Sequence, residues 1–103
     1  MEKFKGYDIS LVIINAGLMN NGKFNEVSIK AAQDMLDVNL YQYGMLASLF
    51  GEILAKRKQK SGLILVSSGV AWRYTTGTTL YSATKAFVLF LVEGFSLESN
   101  LEL

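Results

Sequence analysis

"ISLVIINAG", residues 9–17, crowds Ile9, Leu11, Val12, Ile13 and Ile14 together and then breaks into Asn15, Ala16 and Gly17. The run is too short for a helix, rich in β-branched residues and without polar alternation, so it reads as a strand buried on both faces. "LILVSSG", residues 63–69, repeats that grammar, an apolar strand running into small hydroxyl-bearing residues. The two segments place strands near residues 8 to 14 and 62 to 67.

Between them "GLMNNGKFNEV", residues 17–27, holds Asn20-Asn21-Gly22, a turn signal. Ser28 then stands where a helix N-cap belongs. Ile29, Met35, Leu36, Leu40, Met45, Leu46, Leu49, Phe50, Ile53 and Leu54 follow at helical spacing, predicting a helix over 28–58. Lys56, Arg57 and Lys58 suit the negative end of its dipole, and Ser61-Gly62 is the expected stop. After the second strand, a loop over 67–77 leads to a second helix over 80–100.

Strand, helix, strand, helix in that order predicts an α/β fold with parallel strands and a right-handed crossover. Two parallel strands make a poor sheet alone, since parallel pairing belongs to larger sheets covered on both faces. The fold class is therefore a partial Rossmann-like, doubly wound parallel sheet. In such sheets ligands lie beyond the carboxyl ends of the strands, which singles out Asn15, Ala16 and Gly17 and the pair Ser67 and Ser68.

Composition narrows the chemistry. The 103 residues carry a net charge of +1, half are apolar and 18% are charged. Disorder is excluded, and no basic footprint for nucleic acid or an anionic membrane is present. With neither cysteine nor histidine, a thiolate metal site, a disulfide framework and a Ser-His-Asp triad are all impossible. The charged start is too polar for a signal peptide, and the longest apolar run, residues 86–92, is far below the ~18 residues that span a bilayer. The expectation is a soluble chain without a membrane span, intracellular and cytoplasmic.

"TLYSATKAFVLF", residues 79–90, sets Tyr81 and Lys85 one helical turn apart at the head of an apolar helix. A phenol, which ordinarily loses its proton near pH ~10, is a poor base at neutral pH. A cation on the same helix face favours the phenolate. The pair reads either as a proton-transfer unit or as a solvated helix start. Asn39, inside the first helix, is a mediocre helix former whose amide competes for backbone hydrogen bonds.

"INAG" (14–17), "DVNL" (37–40), "LILVSSG" (63–69) and "YSATK" (81–85), in this order and spacing, resemble the nucleotide-binding core of the short-chain dehydrogenase/reductase family. "YSATKAFVLF" is most similar to its hydroxysteroid dehydrogenase and long-chain 3-oxoacyl reductase branch. The resemblance implies an NAD(P)-dependent oxidoreductase moving hydride between a nicotinamide and a carbonyl or alcohol. NAD and NADP are not separated. Tyr81 would be the general acid, Lys85 its activator and a ligand of the nicotinamide ribose. Ser68, thirteen residues before Tyr81, would hold the substrate carbonyl, with Ser67 as the rival directed to the other side of the chain. Asn39 would disturb the helix and complete a proton relay, while Asn15, Ala16 and Gly17 would lie beside the cofactor together with Tyr81 and Lys85.

No glycine-rich phosphate-binding turn of the kind this family places after its first strand occurs in the sequence. Residues 1–103 are thus read as a single partial NAD(P)-binding domain, its central catalytic segment, lacking the glycine-rich unit and the substrate region. The isolated chain should be inactive. The competing reading is a catalytically silent fragment that serves as an oligomerisation or binding module. A small-molecule substrate and a homodimer or higher oligomer through the helices near 28–58 and 80–100 complete the expectation, because "AFVLFLVEGF" (86–95) is apolar nearly all round.

Overall fold

The computed structural model describes residues 2–73 and 75–99. Strand β1 is Leu11–Ile14 and β2 is Gly62–Leu65, paired in parallel with Leu11 opposite Gly62 and Ile14 opposite Leu65. Between them run α1 (Ile29–Leu36), a π-helical turn (Asp37–Tyr41) and α2 (Gln42–Ala55) without a break; α3 (Thr79–Glu98) follows β2. The strand-helix-strand-helix order stands as read from the sequence. Asn100, the expected end of the last helix, lies outside the described residues, as does Tyr74.

Local chemistry sets the boundaries. Ser28 caps α1, its Oγ accepting from the Ala31 amide at 3.1 Å. The helix stops at Ala55, earlier than the expected 58, because Arg57 turns away to bind Asp8. Its guanidinium donates to both Asp8 carboxylate oxygens (2.9 and 3.0 Å), to the Lys60 carbonyl (2.9 Å) and to Ser61 Oγ (2.8 Å). That clasp draws residue 8 and residues 57–61 together ahead of the strands, so β1 begins later than residue 8.

The core sits on one face of the sheet. Ile14 and Leu63 meet Tyr43, Ala47 and Leu54 of α2 and Val88 of α3, with Val12, Leu65, Phe87, Leu91 and Phe95 at the margin. Each fully buried Leu or Val contributes roughly 1.5 to 3 kcal/mol. The opposite face corrects the expectation of strands buried on both sides: Leu11, Ile13 and Ile64 are exposed. Pairing puts these alternate positions on one side of the pleat, and α2 and α3 both cover the other. The Cα extents, 48 × 28 × 15 Å, are those of a slab one sheet and one helix layer thick. Helix α3, with 20 residues, is long and apolar enough to cross a membrane by length and composition alone. Its inner face buries Ser82, Thr84, Lys85 and Val88 within the protein, while Phe90 and Leu97 on the outer side are exposed.

Candidate active site

The carboxyl ends of β1 and β2 open onto a cluster drawn from four segments. The loop after β1 brings Ala16, Gly17 and Leu18; the π-helical turn brings Asn39; the end of β2 brings Val66 and Ser67; the first turns of α3 bring Tyr81, Thr84 and Lys85. A backbone bond from the Gly22 amide to the Gly77 carbonyl (3.1 Å) ties the two loops together. Gly22 and Gly77 both have positive φ, 150° and 90°, where a side chain would strain the turn.

Asn39 is fully buried. Its Oδ1 accepts from the Leu18 amide (2.8 Å), and its Nδ2 donates to the Leu18 carbonyl (2.7 Å) and to Thr84 Oγ1 (3.2 Å). The helix widens to π geometry over Asp37–Tyr41, around this residue. Asn39 thus pins the loop after β1 against α3 rather than touching Lys85 directly.

Lys85 is only 2% exposed. Among the described residues its ammonium makes one hydrogen bond, to the Val66 carbonyl at 3.2 Å, and has no carboxylate partner. It lies over the rings of Tyr43 and Tyr81, 5.2 and 5.7 Å from their centroids. Burial pulls its pKa below the ordinary lysine value. Gly17 borders it closely: a Cβ there would sit 3.5 Å from Lys85 Nζ and 3.8 Å from Asn39 Oδ1.

The two serines part company. Ser67 donates to the Lys85 carbonyl (2.8 Å), fastening the end of β2 to α3. Ser68 is half-buried and, among the described residues, its Oγ accepts only a long bond from the Val70 amide (3.4 Å), leaving its hydroxyl proton free to turn toward a ligand. Its backbone begins the short 3₁₀ turn Gly69–Ala71. Beyond that turn Trp72 and Arg73 line a shallow hollow with Val70, Ala71, Ala83 and Ala86. Ala16 enters through its carbonyl, which accepts from the Tyr43 hydroxyl at 2.9 Å, while Asn15 is exposed.

Sequence reasoning singled out neither Tyr43 nor Thr84. Tyr43 stands one turn after Asn39, on the same helix face, and Thr84 immediately precedes Lys85; both spacings were available as signals. The Val66 carbonyl carries no side-chain signature.

The short chain dehydrogenase family model matches residues 1–102. An uncharacterized oxidoreductase of Staphylococcus aureus is 34% identical over 98 residues, covering 94% of this chain and 41% of that protein. A bulky-bulky ketone specific alcohol dehydrogenase from Comamonas testosteroni superposes with a TM-score of 0.80 at 32% identity, over 87% of this chain and 36% of its own. A short-chain dehydrogenase from Sphingobium yanoikuyae, solved with NADPH, gives 0.84 at 27% identity, over 92% and 37%. The chain therefore spans about two fifths of the length of the relatives it matches. These neighbours share the partial Rossmann-like α/β arrangement described above, and the chain belongs to the short chain dehydrogenase family.

Proposed function

We propose that this chain is the central catalytic segment of an NAD(P)-dependent oxidoreductase that interconverts a carbonyl and an alcohol. The observation that carries the reading is Lys85, a buried ammonium without a carboxylate, facing Tyr81 and Gly17 with two N–H donors uncommitted among the described residues.

That donor set fits the hydroxyl groups of a nicotinamide ribose, and the small residues Ala16 and Gly17 leave the chain room to approach it. The fit extends to the nicotinamide side only, since the 103 residues contain no glycine-rich turn to cradle a pyrophosphate. By themselves they should bind cofactor weakly. The choice between NAD and NADP is left to residues of the adenosine side.

When bound, the nicotinamide supplies or accepts the hydride. The protein's part is proton transfer and charge stabilisation. Tyr81 gives its phenolic proton to the carbonyl oxygen during reduction and recovers it in oxidation. The charge on Lys85 favours the phenolate left behind. Ser68 donates to the same oxygen, where charge develops. Asn39, holding Leu18 and Thr84, fixes the loop and the helix that carry the cofactor-facing groups.

The resemblance of "YSATKAFVLF" supports an apolar substrate of the steroid or long-chain 3-oxoacyl kind. Exposed Ile29, Phe90 and Leu97 support pairing of the helices in a homodimer. The test is steady-state reduction of a carbonyl panel by the intact protein, followed at the nicotinamide absorbance. Tyr81→Phe should lower the rate by about 10²- to 10⁴-fold at preserved cofactor affinity. A variant keeping more than about a tenth of the rate, outside that range, would remove Tyr81 and Lys85 from the proton-transfer reading.

A further inference from the structure

Tyr43 is fully buried, yet its ring and its hydroxyl both face the polar cluster. The hydroxyl donates to the Ala16 carbonyl at 2.9 Å, with the Val66 carbonyl at 3.4 Å. Val66 is also the acceptor for Lys85, so one tyrosine touches the end of each strand and the cation between them. Burial, with a smaller push from the Tyr81 phenol, raises its own pKa, so it stays a neutral donor.

We infer that Tyr43 is a positioning residue for Lys85, its ring face holding the ammonium at the strand ends without neutralising it. The inference rests on the reading in which Lys85 serves Tyr81 and the cofactor. The groups facing Lys85 are Tyr43 from α2, Tyr81 from its own helix, the Val66 carbonyl and the backbone at Gly17. None of them is a carboxylate.

A buried cation needs compensation, and a carboxylate would provide it at the expense of function. It would occupy the free N–H donors and cancel the field that Tyr81 requires. An aromatic face attracts the cation through its quadrupole, adds no net charge and takes no hydrogen bond. Two rings within 6 Å meet that requirement.

The experiment is direct titration of Lys85 by NMR, using isotopically labelled lysine in the intact protein, in a series at position 43. Tyr43→Phe keeps the ring and should leave the titration near that of the wild type. Tyr43→Leu removes the ring and should lower it by roughly half a unit to one and a half units. Phenylalanines carrying one, two and three ring fluorines at position 43 preserve the shape while weakening the quadrupole. They should lower the titration stepwise, and they keep the test decisive if the leucine variant fails to fold. A flat fluorine series, or a phenylalanine variant shifted as far as leucine, overturns the inference. None of these readings needs turnover, so a graded series in a protein that reduces no carbonyl would sink the proposed function and leave the role of Tyr43 standing.

Discussion

At the amino ends of the strands Arg57 grips Asp8 with two hydrogen bonds and three loop groups with three more, and the Asp8 side chain is 76% exposed. At the carboxyl ends Lys85 is withdrawn from water with one carbonyl and two aromatic faces for company. The first charge is paired where pairing is easy and fastens one loop to another. The second has no carboxylate partner among the described residues and sits where holding it so is costly. Buried charges of this kind cluster at functional sites, which directs attention to the carboxyl ends of the strands.

Three substitutions probe that contrast, in falling order of effect. Asn39→Ala removes three hydrogen bonds from a fully buried position and leaves the Leu18 amide and carbonyl without their partner. It should cost about 2 kcal/mol, read as a lower urea midpoint, and lower the rate in the folded fraction as well. Gly51→Ala lies away from the site, where an added Cβ would overlap the Phe95 ring. Phe95 is half-buried and can swing aside, so the cost should be about 1 kcal/mol, with the activity of the folded fraction unchanged. An equal loss of activity in both variants would erase the distinction between the site and the remaining packing.

Asp8→Asn should have the smallest effect. Its hydrogen bond to Arg57, then the charge of Arg57, holds the Asp8 carboxyl below its ordinary value of 3.8. A carboxyl with a lowered folded pKa stabilises the fold above the unfolded value, and that contribution fades as pH falls through the folded one. Melting curves should therefore separate wild type from Asp8→Asn slightly at pH 7 and converge in acid. Solvent around the exposed carboxylate keeps the difference small.

The order of elements was legible because the chain alternates β-branched runs with helical spacing. The π-helical turn was legible only through the resemblance, which implied that Asn39 disturbs the helix, since apolar residues from Met35 to Leu54 keep a helical pattern straight across it. Only Asn39, a poor helix former at Asp37–Tyr41, marked the place. The open sheet face escaped for another reason. Leu11, Ile13 and Ile64 are as apolar as the residues that reach the core, and composition cannot say which side of a strand is covered. Motif spacing pointed to Tyr81, Lys85, Asn39 and Ser68 but missed Tyr43, because a buried tyrosine in an apolar helix looks like core until its ring is placed under a cation.

On the proposed function Lys85 has two duties, toward Tyr81 and toward the nicotinamide ribose. Lys85→Met keeps most of the side-chain length and apolar contact and removes the charge and its donors. In the intact protein, calorimetric titration with NADH and NADPH should show weaker binding than wild type, and carbonyl reduction should fall by at least about 10²-fold. Tyr81→Phe should lose rate alone. A Lys85→Met protein that binds cofactor as tightly as wild type and still turns over would show that Lys85 serves neither group.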